Sequence, residues 1–384
     1  MKTIMVLILF LTLLSPFVTA QQDMEDIVIG KYRKVKSEFM NEERLIYVHL
    51  PEGYETSGKS YPVLFQLYAH FMDPYFIPAS IITGQLGAHG KIPEMIVIGI
   101  KNREFRYRDL LPIPHWKGES RIDNFLNFFE KELIPFTRKN YRINNYRILS
   151  GPQAGAAFGI YAMGKKPDLF NAMFLSNPFW INKTWSILLN TITERIRTDD
   201  LSNKTLIISY DEKESTGALK LLKDFNVLVS SAGNNAPKLI LNQLEPDFDL
   251  SVSTDIKTGL NILFKKYIFP AEKRGKELHV ITDYYDSFSK EIGLKLYPPE
   301  LTLVFEGDKF IKQNKLNKAL KIYKYMLKIY PRSLMAMDRL GDTYGKLKDY
   351  EKAILYYEKF LEIQKGNPRA EAIIDGLKKK LKIK

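Results

Sequence analysis

The stretch YRILSGPQAGAAFG (146–159) constrains the fold more than any other part of the chain. An apolar, strand-like run enters a turn bracketed by Gly151 and Gly155, and a helix start of small residues (Ala154, Ala156, Ala157) follows. A chain that passes this sharply from strand to helix brings two backbones to contact distance, which glycine and alanine permit. This is the layout of a nucleophile elbow, a strained turn that presents a serine at its centre. The central position of Gly151-Pro152-Gln153-Ala154-Gly155 holds glutamine instead. A glutamine amide has no ionisable proton near neutral pH and cannot form a normal acyl-enzyme, but its hydrogen-bonding sites can hold a ligand or fasten a loop. Both glycines and the following helix fix the frame, which leaves Ser150 three positions early and still on the strand.

From about Asp26 to Phe264 short apolar runs alternate with amphipathic stretches. RLIYVHL, YPVLFQLY, MIVIGI, YRILS, AMFLS, TLIISY and KLILNQL, rich in β-branched and aromatic residues, are expected strands. The clearest helix pattern between them is RIDNFLNFFEKELIPF, which places Ile122, Phe125, Phe128, Phe129 and Leu133 on one face. Alternation of this kind predicts an α/β fold, a doubly wound and mostly parallel sheet covered on both sides. A helical connector ending in YPPE follows, and then a repeat. EGDKFIKQNKLNKALKIYKYMLKIYP and LGDTYGKLKDYEKAILYYEKFLEIQKGNP superimpose at a period of about 34 residues, the tetratricopeptide spacing. Gly307 pairs with Gly341, Ala319 with Ala353, Tyr323 with Tyr357 and Phe310 with Tyr344. AEAIIDGLKKKLKIK supplies a capping helix. Two repeats and a cap are short for a free-standing solenoid, so docking on the first domain is expected.

The expected organisation is therefore residues 1–20 as a secretory signal peptide, 21–268 as the α/β domain, 269–300 as the connector and 301–384 as the repeats with their cap. The signal assignment rests on Lys2, the apolar run Ile4 to Leu14 and the small residues Val18 and Ala20. That run is shorter than the roughly 20 residues that span a bilayer, so no transmembrane span is expected after cleavage. Cysteine is absent, which for an exported chain excludes a disulfide framework and a thiol nucleophile and favours a bacterial periplasm or surface. The formal charge is +13, and about ten of these net charges fall in the last ~80 residues, as expected of lysine-rich solvated helix faces. No motif suggests nucleic acid. Five histidines scattered without ligand spacing suggest no metal, and no cofactor is expected.

YVHLPEGY, YPVLFQLY, IPEMIVIGI, FEKELIPF, YRILSGPQAGAAFGIYAM, KPDLFNAMFLSNPFW and TGLNILF, in this order and spacing, resemble the esterase family of the α/β-hydrolase fold that includes enterochelin esterases, feruloyl esterases and S-formylglutathione hydrolase. The resemblance implies a nucleophile, a carboxylate and a histidine in that chain order, with backbone amides forming an oxyanion hole. Gln153 stands at the nucleophile position and Leu250 at the histidine position. Asp211, Glu212 or Glu214 occupies the acid position. Where relatives read Leu-Asp-Gly after the second core strand, this chain reads Leu67-Tyr68-Ala69 and then His70. No histidine lies between His115 and His279, and His279 falls beyond the closing helix.

These departures predict an exported, catalytically silent relative of the esterases. Its cleft, expected around Tyr68, Ala69, His70, Gln153, Ala154 and Trp180, would be more apolar than an active one and would hold an ester, acyl or siderophore-like ligand. The repeats would recruit a protein partner at the envelope. The alternative is a working carboxylic-ester hydrolase with a relocated nucleophile, Ser150, Ser176 or Ser251. A purely structural role with a collapsed cleft is the third reading.

Overall fold

The computed structural model describes residues 28–69, 75–113, 118–177, 182–211, 216–244 and 248–382. Eight strands form one sheet: β1 (Lys31–Ser37), β2 (Glu42–His49), β3 (Tyr61–Gln66), β4 (Ile96–Ile100), β5 (Ile143–Pro152), β6 (Ala172–Ser176), β7 (Thr205–Tyr210) and β8 (Lys238–Gln243). Their order is β1-β2-β4-β3-β5-β6-β7-β8. β2 runs antiparallel to β1 and β4, and all other neighbours are parallel. This is the mostly parallel α/β sheet that the alternation predicted, in the α/β-hydrolase arrangement that the resemblance implied. β3, β4 and β6 are buried along their whole length, as strands covered on both faces must be. β1 was not foreseen. Its sequence, KYRKVKS, buries only Val35 and Ser37, and as an edge strand it gains from lysines that deter pairing with another chain.

Side chains alternate across the sheet into two cores. Val63, Phe65, Ile98 and Leu149 join one core, whereas Leu64, Val97 and Ile148 join the other. The first core is covered by α2 (Ile122–Asn127), α3 (Ile134–Asn140), α4 (Ala154–Lys165), α5 (Asn182–Thr198) and α6 (Thr216–Ser231), and the second by α1 (Phe76–Ala88) and α7 (Phe248–Leu263). The expected helix RIDNFLNFFEKELIPF buries all five predicted residues, but a π-helical turn, Phe128–Leu133, separates α2 from α3. Pro135 has no amide to continue the α-helical ladder, and the wider turn carries the adjacent Phe128 and Phe129 both inward. Phe129 then meets Phe65 edge-on at 5.5 Å and Phe125 at 5.3 Å between centroids. Beside them Arg44, 2% exposed, is paired at 2.8 Å with the fully buried Asp109.

The connector contains α8 (Leu278–Ile292). The repeats are α9 (Glu300–Lys312) with α10 (Leu316–Ile329) and α11 (Leu334–Lys346) with α12 (Tyr350–Ile363), and α13 (Pro368–Lys382) caps them. The repeat's small residues and aromatics meet as their spacing implied. A methyl group on Gly307 would lie 2.2 Å from Tyr323 Cε1, and one on Gly341 would lie 2.5 Å from Tyr357 Cε2. The two hydroxyls donate to the equivalent carboxylates Asp308 and Asp342 at 2.5 and 2.6 Å.

The repeats are docked. One apolar cluster runs from the α1 and α7 face of the sheet through Tyr267, Tyr285 and Phe288 to Leu303, Tyr323 and Tyr357. Lys59 Nζ lies 3.0 Å from Glu94, 3.5 Å from Glu300 and 4.7 Å above the Tyr330 ring, and so ties the loop before β3 to the first and second repeat helices. Among the described residues no helix is long and apolar enough to cross a membrane.

Candidate functional site

β5 ends at Pro152, α4 begins at Ala154, and Gln153 between them has φ 51° and ψ −114°. No side chain adopts this conformation without strain, which costs about 1–3 kcal/mol. The glycines make the turn possible. A methyl on Gly151 would come within 2.9 Å of the Gly155 carbonyl carbon, and one on Gly155 within 3.2 Å of Leu67 Cδ1. The Gln153 amide donates to the Ser176 carbonyl at 2.7 Å, and its carbonyl accepts from the Ala157 amide at 3.0 Å. The elbow backbone is thus complete around a residue that is not a nucleophile.

The turn after β3 supplies the facing wall. Its amides are already spent: Leu67 donates to the Ser150 carbonyl at 2.9 Å, Tyr68 to Asn102 Oδ1 at 2.8 Å and Ala69 to the Ile100 carbonyl at 3.0 Å. None of the three can also stabilise a developing oxyanion. The Ala154 amide remains, at the start of α4, and the hydroxyl of Tyr68 (φ 65°) faces it without a hydrogen bond of full geometry. Burial pushes the Tyr68 phenol well above its ordinary range, so it stays protonated.

Beyond the elbow, the register aligns Ser176 with Ser209 and Ser209 with Asn242, a polar row at the carboxyl ends of β6, β7 and β8. Asp255 of α7 reaches down to this row. The Ser176 hydroxyl donates to Asp255 Oδ2 at 2.5 Å, and Asn242 Nδ2 donates to Ser209 Oγ at 3.2 Å. Burial pushes the Asp255 carboxyl up to about 6, against the opposing pull of hydrogen bonds from the Ser176 and Ser209 hydroxyls. Around the same end of the sheet, Gln66 Oε1, Tyr68 Oη, Asn102 Nδ2, Asn177 Oδ1 and Asp255 Oδ1 are buried without a hydrogen-bond partner among the described residues. Buried polar groups thus gather at this end of the sheet, while the Leu250 and Trp180 side chains expected to make the cleft apolar lie outside the described residues.

Of the residues singled out from the sequence, Tyr68, Ala69, Gln153 and Ala154 come together here. Ser150 is buried on β5, next to Gln66 in register, and Asp211 immediately follows β7. Leu250 was expected in a loop before the helix. It lies instead in the first turn of α7, which starts at Phe248, and its side chain, like that of Ser251, falls outside the described residues. His70, His115, Trp180, Glu212, Glu214 and the signal segment also lie outside them. The described imidazoles are elsewhere: His49 binds the Ile29 carbonyl, His89 binds the Gln85 carbonyl, and His279 is exposed on α8. Asn102 and Asp255 were missed. The available signal was the polar residue at matching positions near the ends of consecutive strands, Ser176, Ser209 and Asn242.

Residues 37–222 match the family described as "Putative esterase", and residues 336–367 match the tetratricopeptide repeat. Among solved structures, the chain resembles an IroE-like serine hydrolase from Shewanella oneidensis at 21% identity and a TM-score of 0.66, covering 77% of this chain and 99% of that one. An uncharacterised protein from Capnocytophaga ochracea is similar at 16% identity and a TM-score of 0.59, over 91% of this chain and 99% of that one. The siderophore hydrolase EstA from Aspergillus nidulans is similar at 19% identity and a TM-score of 0.51, over 62% and 94%. At these identities the likeness is one of fold. No curated protein matches the sequence.

Proposed function

We propose that this esterase-like α/β-hydrolase with tetratricopeptide repeats is an exported binding protein that holds an ester, acyl or siderophore-like ligand over Gln153 without cleaving it. The observation that carries the reading is the strained elbow kept around Gln153, at the end of the sheet where several buried polar atoms lack a hydrogen-bond partner among the described residues. Strain of about 1–3 kcal/mol in a residue with no nucleophile persists when its surroundings over-determine it, as at ligand clamps. Each unpartnered buried group costs about 1–3 kcal/mol, and a ligand that pairs with it recovers that cost.

The Gln153 carboxamide offers both a donor and an acceptor. Both suit a ligand rich in carbonyl and hydroxyl or amide groups. Cleavage fails for want of parts: Gln153 carries no nucleophile, Leu250 stands where a base is required, and the β3-turn amides are committed. The fold likeness to a siderophore hydrolase supports the ligand class, and the Lys2–Ala20 pattern supports export. The repeats would engage a protein partner.

A test combines three measurements. An intact ester siderophore should raise the thermal midpoint and be recovered uncleaved, because a ligand specific to the native state stabilises it. A fluorophosphonate probe should leave the protein unlabelled. Gln153→Ser alone should restore no ester turnover. Stoichiometric serine labelling with turnover by the natural chain would refute the reading. One observation favours a second reading, hydrolysis from Ser176, whose hydroxyl is bonded to the Asp255 carboxylate. Labelling that maps to Ser176 and vanishes in Ser176→Ala would select it.

A further inference from the structure

A concavity lies at the junction between the α/β unit and the repeats, at the opposite end of the sheet from Gln153. Residues 89–91 precede β4, whereas Gln153 follows β5. Both strands run parallel to β3, so the two sites face opposite ends. The cleft has a volume of about 330 Å³, within the range of about 300–1,000 Å³ typical of small-molecule sites. Its apolar lining includes Ile268, Leu301 and Phe305, which are 49%, 46% and 49% exposed. They come from two different parts of the chain, the segment before α8 and the first repeat helix. Such side chains gathered around one concavity, rather than scattered singly, mark a binding surface.

Its charge is one-sided. Lys91 enters from the α/β unit and Arg274 from the connector. The Arg274 guanidinium lies 5.2 Å from the Phe305 centroid, and Lys309 Nζ lies 4.9 Å from the same ring. Among the described residues, neither Lys91 nor Arg274 has an ion-pair partner. The carboxylate in the wall, Glu306, is 1% exposed, and its Oε1 has no hydrogen-bond partner among the described residues. One of its oxygens accepts the Gly275 amide at 2.5 Å, and the other lies 3.8 Å from Lys309 Nζ.

We propose that this cleft binds a small amphipathic anion, a carboxylate or sulfate head on an apolar body. The head would meet Lys91 and Arg274 at the mouth while the body covers Ile268, Leu301 and Phe305. A cationic ligand would meet like charges, and a neutral apolar one would gain nothing from the two exposed cations. The cleft is shared by the two units, so an occupant would touch both. The inference does not depend on the ligand or the chemistry of the Gln153 site.

Decyl sulfate, kept below its micellar concentration and carrying no acyl group that the Gln153 site is proposed to hold, is the probe. Calorimetry on the full chain should show one saturable site, with binding weakened at least tenfold in Lys91→Glu/Arg274→Glu and in Phe305→Ala. Binding should fall as salt rises and be unchanged in Gln153→Ala, with decanol and decylammonium at least tenfold weaker. Thermal melting establishes that each variant is folded. If the charge-reversed pair is not, Arg274→Gln and the salt dependence decide in its place. Four results would overturn the proposal: no saturation at one equivalent, indifference to the charge changes, loss of binding in Gln153→Ala, or binding to phosphatidylglycerol vesicles without binding to decyl sulfate. The last would identify a membrane-facing patch instead of a site for a free molecule.

Discussion

Replacing Asp255 with asparagine should make the protein more stable at neutral pH and remove a stability loss between about pH 4 and 6. An aspartate carboxyl in an unfolded chain titrates near 3.9, whereas burial raises that of Asp255 to about 6. Between these values the folded state holds a proton that the unfolded state has released. Stability therefore falls as pH rises through this window, and the contribution present below about pH 4 is gone above pH 6. A difference of about two pH units at 1.36 kcal/mol each gives roughly 3 kcal/mol. Asparagine keeps the shape, offers an oxygen to the Ser176 hydroxyl and never ionises. The variant should match the parent near pH 4 and exceed it by about 2–3 kcal/mol at pH 8. Urea unfolding of both proteins at one-unit intervals from pH 4 to 8 measures this, and the difference between the curves cancels groups common to both, such as Glu42. Arginine contacts hold Glu42 below its ordinary range against the opposing effect of burial, and it acts in the opposite direction. A difference curve flat in pH, or an asparagine variant less stable at pH 8, would refute the reasoning.

Gly307→Ala should cost about 1–3 kcal/mol or more, since its methyl would strike the Tyr323 ring. Gly345→Ala on α11, where nothing lies within 4 Å, should instead gain up to about 1 kcal/mol from helix propensity. Thermal melts followed by circular dichroism separate the two. Arg44→Met should cost about 1–3 kcal/mol in denaturant titrations, because the buried Asp109 carboxylate loses one of two arginine partners and keeps Arg108 at 2.6 Å, and Arg44→Met with Arg108→Met, which removes both, should cost more than either single change.

What the sequence disclosed about this fold depended on how local the cause was. Strands β2 to β8 were legible because β-branched and aromatic runs carry their own signal, and the elbow was legible because Gly151 and Gly155 act within one turn. β1 was hidden because an edge strand has little apolar face to show. The π-helical turn at Phe128–Leu133 was hidden because the five apolar positions fit an ordinary helix equally well, and Pro135 decides the matter only through a missing amide. The Asp255 cluster was out of reach for a different reason. Ser176 and Asp255 are 79 positions apart, and only the register of three parallel strands puts Ser176, Ser209 and Asn242 in one row under α7.

The continuous apolar cluster that joins the sheet to the repeats also sets a schedule for synthesis. By the time α7 is complete, every strand exists, yet the α1 and α7 face still lacks the connector and repeat residues that complete its cluster. At about 5–20 residues per second, the remaining chain follows on the order of 10 s later. For that interval the nascent protein carries a finished sheet with an unfinished side. A chain cut before α9 would remain in that state, so a truncated form should behave as an aggregation-prone intermediate and not as an independent α/β unit.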